Sequence, residues 1–274
     1  MIRALVTLLA CCLLIAAAQE TGEARAKKRK PLQVTYLANS GFLVEAGETS
    51  FVIDAFLEKP YSAYVGLPHE TAQDLEEGKG IFEDLDLALV SHVHRDHFQA
   101  DFACRALEGT DAMLATSQQV LDTLHELCAP TRVQELHPKL GDTVSFEYEG
   151  IAVDAFRMAH GGDRRGKIQN LGQVIELEGW RVLHLGDADT AASVWAPHDI
   201  ASRKIDVAFV PYWFWSSKEG RKIIEQRIHA RHLIAVHVPR DEVVDVRDKL
   251  KALEGGTPGR IMVFEKGTDT HTFE

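Results

Sequence analysis

Nine prolines and 20 glycines in 274 residues are too few for a low-complexity chain, and no internal repeat follows residue 30. The apolar run from Ala4 to Ala18, broken only by Thr7, has 15 residues. A bilayer span needs about 20, so this run does not read as a membrane helix. Positive charge is scarce as well: 30 Lys and Arg stand against 41 Asp and Glu, for a net charge of −11. An acidic surface repels phosphate backbones, which excludes a general nucleic-acid binder. Only four cysteines occur, and none lies beyond Cys128.

The chain does have the material of a folded core, with 45% hydrophobic residues. It also has 13 histidines, many for this length, and the question is whether they cluster. Charge is uneven: residues 1–30 carry +4 and the remainder −15. Met1-Ile2-Arg3 is a short basic start, and the apolar run closes on Ala16-Ala17-Ala18 before turning polar at Gln19. That pattern reads as a signal peptide over 1–18, cleaved after Ala18, followed by a basic linker over 19–30. A lipoprotein at Cys11 or an uncleaved anchor are the alternatives. Export, periplasmic or secreted, is the expectation. Cleavage leaves Cys104 and Cys128, which are read either as one disulfide or as two buried thiols.

No linker interrupts 31–274, which reads as one domain. Short Val-, Ile- and Phe-rich runs predict strands at Leu32–Leu37, Gly41–Glu45, Ser50–Asp54 and Leu85–Val90. Helical patterns over Phe98–Leu107 and Gln118–Leu127 flank a strand at Ala112–Ala115. The second half repeats the order, with strands at Thr143–Tyr148, Ile151–Arg157, Val174–Leu177 and Arg181–Leu185. It continues with strands Val207–Val210, Leu233–Val236 and Arg260–Phe264, separated by helices Lys218–Ile228 and Glu242–Leu253. Two batches of hairpin strands, each followed by helices, predict two sheets packed face to face with helices outside.

Directly after the apolar strand stands Ser91-His92-Val93-His94-Arg95-Asp96-His97. Four metal-competent side chains within six residues are not a chance feature of a surface loop. Imidazole and carboxylate are the ligands that zinc and similar ions accept. His160, Asp187 and His237 each follow a predicted strand, and Gly161-Gly162 and Gly186 allow sharp turns beside the first two.

These residues resemble the metallo-β-lactamase-fold hydrolase superfamily. The H-x-H-x-D-H motif is His92, His94, Asp96 and His97, and His160, Gly186-Asp187 and His237 match later motifs in order and strand context. The opening Tyr36-Leu37-Ala38-Asn39-Ser40-Gly41-Phe42, with Ile53-Asp54, is similar to the branch holding ascorbate-6-phosphate lactonase and N-acylethanolamine-releasing phospholipase D. The resemblance implies an α/β fold, a four-layered αββα sandwich with a two-metal site at one edge. By it, His92, His94 and His160 hold one divalent ion; Asp96, His97 and His237 hold the other; Asp187 bridges them. The ions are expected to be zinc, with manganese or iron as alternatives. True metallo-β-lactamases lack the bridging aspartate, and the interval from Asp187 to His237 is too short for the domain inserted in RNA-processing relatives.

The expected activity is hydrolysis of a small ester, lactone or phosphodiester by hydroxide held between the ions, with Asp96 shuttling a proton. A single-iron oxygenase of sulfur compounds and a non-catalytic metal-binding protein are the rival readings. Asp54, ending a strand, is expected either to orient a ligand histidine or to cap a turn. His184 reads as a core histidine. In Tyr212-Trp213-Phe214-Trp215, Trp213 and Trp215 are expected to form a substrate wall. Arg164, Arg165 and Lys167 either meet an anionic group or lie in a solvated loop.

Overall fold

The computed structural model describes residues 29–163, 165–253 and 260–274. The expected signal peptide, residues 19–28 of the expected linker, and Arg164 lie outside the described residues. Among those described, no helix is long and apolar enough to cross a membrane.

Two seven-stranded sheets form the centre. The first contains β1 (Leu32–Ala38), β2 (Gly41–Ala46), β3 (Thr49–Ile53), β4 (Leu87–Leu89), β5 (Met113–Ser117) and β6 (Val133–Leu136) in that order. The second runs β7 (Thr143–Tyr148), β8 (Ile151–Met158), β9 (Asn170–Leu177), β10 (Trp180–His184), β11 (Val207–Pro211), β12 (His232–Val236) and β13 (Arg260–Val263). A last strand, β14 (Thr270–Phe273), returns to the first sheet and pairs antiparallel with β1. Each sheet begins as an antiparallel meander and then turns parallel, from β3 to β6 and from β10 to β13.

Alternation of side chains along these strands produces three apolar layers. Val34, Phe42, Val44, Phe51, Val153, Ile175, Val182 and Phe209 meet between the sheets. The outer face of the first sheet packs on α1 (His69–Glu77), α2 (Ala100–Gly109) and α3 (Gln118–His125). In α2, Phe102, Ala103, Ala106 and Leu107 lie on one helical face and are buried. The outer face of the second sheet packs on α4 (Ala192–Trp195), α5 (Trp213–Ser216), α6 (Lys218–Ile223) and α7 (Val243–Leu253). The order helix, sheet, sheet, helix is the αββα sandwich expected.

Several details differ from expectation. No element is expected between Asp54 and Leu85, yet α1 lies there, with few buried residues, Thr71, Ala72 and Leu75. The helix expected over Lys218–Ile228 is α6 followed by a wider π-helical turn, Ile224–Ile228. Cys104 and Cys128 form a disulfide, so of the two readings the buried thiols are excluded. The two described residues of the basic linker are exposed but have partners. Arg29 pairs with Asp206 at 2.9 Å and lies over the Trp180 ring, and Lys30 pairs with Glu178 at 3.0 Å.

Candidate metal centre

The loops that follow β3, β4, β8, β10 and β12 all open at one edge of the sandwich. In open α/β sheets, sites form where the carboxyl ends of strands face a crevice. Here they carry Asp54, the segment 91–97, His160, Asp187 and His237. The backbone is bent hard at these points: Asp54 and His237 adopt positive φ, 47° and 61°. Such conformations cost free energy outside glycine and persist where the surroundings enforce them. Gly186, at φ 51°, admits no side chain: a Cβ would stand 2.3 Å from Asn170 Oδ1.

All seven expected side chains converge. Three groups of donor atoms, each within 4.8 Å, are His92, His94 and His160; Asp96, His97 and His237; and His92, His97 and Asp187. Segment 91–97 is bent rather than extended, yet His92 Nε2 and His94 Nδ1 come to 3.2 Å. Asp187 is central. Its Oδ1 lies 3.1 Å from His97 Nε2, and its Oδ2 lies 3.5 Å from His160 Nε2 and 3.4 Å from His237 Nε2. His237 Nε2 also stands 3.1 Å from Asp96 Oδ2.

These contacts lack hydrogen-bond geometry. The Nε2 atoms of His97, His160 and His237 and Oδ1 of Asp187 are buried without a hydrogen-bond partner. Buried polar atoms in folded proteins are almost always satisfied, so four orphans aimed at one another fit a cation-binding site. Electrostatics agree. Burial, aided by the charge on His97, pulls His92 well below the usual imidazole range and keeps its lone pair free. Burial alone would raise Asp187, but the charges of His97 and His237 and the close approach of His160 and His237 hold it well below. Burial likewise opposes protonation of His97, and Asp187 and Asp54 overcome it, raising this histidine well above its ordinary value. The carboxylates thus call for positive charge at the spot, and a divalent ion supplies it while displacing protons.

The surroundings fix this arrangement. Asp54 is fully buried; its Oδ1 accepts the Ser91 N–H at 2.7 Å, and its Oδ2 accepts Ser91 Oγ–H at 2.6 Å and contacts His97 Nδ1 at 2.7 Å. Of its two expected roles, orienting a histidine is the one observed. Ser91 Oγ also lies 3.0 Å from His92 Nδ1. His160 Nδ1 lies 2.7 Å from the Gly161 carbonyl. His184 is a core residue: its Nδ1 accepts the Gly186 N–H and its Nε2–H donates to the Ser40 carbonyl, both at 3.1 Å.

Three contributors were not read from the sequence. Asn39 donates from Nδ2 to the Asp96 carbonyl at 2.8 Å, and Asn170 Oδ1 accepts the Asp187 N–H at 2.9 Å. Tyr64 sets its ring edge-on to His237, centroids 4.5 Å apart. Burial and the nearby charges of Asp96 and Asp187 push its phenol up to about 12. Asn39 sits before Ser-Gly, a turn signal; nothing marks Asn170 or Tyr64. The expectation for Trp215 is corrected. Residues two apart on a helix point roughly 200° apart, so Trp213 faces His237, 5.1 Å between centroids, whereas Trp215 is buried in the outer core. Arg165 and Lys167 line a shallow cavity with Gly162, Asp163 and Asp189, beside His160.

Residues 33–237 match the family described as the Beta-lactamase superfamily domain. The chain belongs to that superfamily. It is 29% identical to a metal-dependent hydrolase of Pelotomaculum thermopropionicum, over 86% of this chain and 98% of that one. A metallo hydrolase from Ignicoccus hospitalis has the same fold, with a TM-score of 0.64 and 17% identity, covering 89% of this chain and 99% of that one. A diiron β-hydroxylase from Streptomyces venezuelae shares the fold at a TM-score of 0.53 and 17% identity, over 90% of this chain and 54% of that one.

Proposed function

We propose that this superfamily member is a hydrolase of a small ester, lactone or phosphodiester, working with two divalent ions, zinc first among them. One observation carries the reading: two three-residue donor groups stand side by side, and the Asp187 carboxylate faces both. His92, His94 and His160 would hold one ion, Asp96, His97 and His237 the other, with Asp187 shared. When bound, such ions make water acidic enough to act as a nucleophile near neutral pH and offset negative charge developing on the scissile group.

The chain's own residues supply the rest. Desolvation keeps the His92 and His94 imidazoles neutral, the form that donates a lone pair. Asp96 is held ionised, since the His237 and His97 contacts outweigh its burial, and is therefore able to accept a proton from the attacking water. The Ser91 hydroxyl is committed to Asp54 and His92 and is not available as a nucleophile. The name of the Pelotomaculum relative supports the same reaction class.

Elemental analysis of carefully loaded protein should find about two ions per chain. Asp187→Asn removes a charge at nearly constant shape. Its hydrolysis of a lactone, phosphodiester and ester panel should fall by at least about a hundredfold, roughly 2.7 kcal/mol of transition-state stabilisation. Near-wild-type rates with both ions retained would overturn the shared-carboxylate assignment, and one iron per chain would favour oxygenase chemistry.

We also propose that the protein is exported. Its support is the leader pattern together with the Cys104–Cys128 disulfide, a bond at home in oxidising compartments. N-terminal sequencing of the mature protein should begin near Gln19; an intact Met1 on a membrane-bound product would sink the idea.

A further inference from the structure

The two rims of the candidate centre differ in chemistry. At the His160 rim the side chains are small or charged: Gly162, Asp163, Arg165 and Lys167. At the His237 rim two are aromatic, with the Glu242 carboxylate near the Tyr64 phenol. Tyr64 and Trp213 both set their rings edge-on to the His237 imidazole, at 76° and 74°.

Neither ring is there by looseness. The Tyr64 loop closes on itself through Leu67 N–H to the Leu57 carbonyl, 3.0 Å. It is pinned on one side by Asn39 N–H to the Val65 carbonyl, 3.1 Å, and on the other by Arg240 N–H to the Ala63 carbonyl, 2.8 Å. The Arg240 guanidinium also donates to the Ser62 carbonyl. The loop is thereby tied to the segment that follows His237 itself. Trp213 opens α5, directly after β11, and Tyr212 N–H donates to the Val236 carbonyl at 3.0 Å. Both rings remain only half-buried. The other three tryptophans, Trp180, Trp195 and Trp215, are 2%, 0% and 4% exposed. Two large rings held rigidly and left partly open beside buried polar donors make a surface for an apolar group.

We propose that Tyr64 and Trp213 form an apolar shelf that seats the alkyl or aryl part of an acyl substrate at the His237 side, making the protein selective for esters with a sizeable apolar acyl group. This rests on the hydrolase reading above. Both residues are specificity-determining: they contact the non-reacting part of the substrate and leave the chemistry to the donor cluster.

The test uses the full, zinc-loaded chain and p-nitrophenyl esters from acetate to octanoate. Wild-type kcat/KM should rise at least ~10-fold along the series, as successive methylenes leave water. Tyr64→Ala and Trp213→Ala should flatten that rise, chiefly through KM, with metal content unchanged. A loss of equal size for every ester would mean the rings only pack His237, and the shelf would be overturned. Should Trp213→Ala fold poorly, Trp213→Leu keeps the site filled and should flatten the series partially.

A second arm needs no turnover. Trp213 is the one tryptophan of the four that is partly exposed, so octanoate should shift the emission of wild type but not of Trp213→Phe, and acetate should shift neither. If no ester is cleaved yet octanoate shifts the emission, the ester selectivity fails, the lactone and phosphodiester arms of the panel above decide the hydrolase reading, and the shelf stands as an apolar binding surface. If esters are cleaved without regard to chain length and octanoate changes nothing, the shelf falls and the hydrolase reading survives.

Discussion

Asp54 shows how much a single side chain outside the donor set controls. It accepts from Ser91 twice and holds His97 by its far nitrogen, all from a backbone at φ 47°. Asparagine tolerates that backbone but exchanges one acceptor oxygen for a donor NH2. Asp54→Asn should therefore fold, lose about 1–3 kcal/mol of stability from one unmatched buried group, and bind zinc about 10–100-fold more weakly. A competitive zinc titration beside a urea melt reads both effects; unchanged zinc affinity would reduce Asp54 to a turn residue. At this scale the sequence was legible where chemistry is dense, because His92, His94, Asp96 and His97 crowd into one short run. It was not legible at Asn170, whose neighbours Gln169 and Leu171 carry no signal, and whose role depends on a contact with Asp187 across the loop after β10.

Elements were legible where burial is complete on a face. The strands β1, β2, β11 and β12 are nearly all buried, and their Val, Ile, Leu and Phe runs announced them. The sequence Thr-His-Thr-Phe of β14 has one buried residue, Phe273, so hydrophobic periodicity had nothing to detect. The Trp215 expectation failed for a related reason, since four aromatics in a row hide the helical turn that sets Trp215 apart from Trp213. One surface device is testable here. Asp154 on β8 receives Ser145 from β7 and Arg203 from the turn after α4, joining the sheet edge to that turn. Burial would raise this carboxyl, but Ser145 and Arg203 lower it overall. A depressed folded pKa stabilises above the unfolded value, about 3.9, and the gain is lost as pH falls through the folded one. Arg203→Ala should cost less than about 1 kcal/mol in urea melts at pH 7, the pair being partly exposed, and less again at pH 3. An equal cost at both pH values would assign the effect to packing.

For the whole molecule, the donor set draws on both halves of the sandwich. His92, His94, Asp96 and His97 follow a strand of the first sheet; His160, Asp187 and His237 follow strands of the second. Ions held there would fasten one half to the other, and their binding free energy would add to that of folding. Removing metal with a chelator should lower the thermal midpoint, and free zinc at a hundred times its Kd should restore about 2.7 kcal/mol. A midpoint indifferent to the chelator would mean the halves are held by the apolar layers alone. The pairing of β14 with β1 has a consequence of another kind, for timing. Thr35 waits for Thr270, and Leu32 for Phe273, so the backbone edge of β1 stays unpaired until every other strand of both sheets has been synthesised. A nascent chain of this fold cannot close its first sheet from the front. It must be kept apart from its neighbours until the four residues that seal that edge arrive.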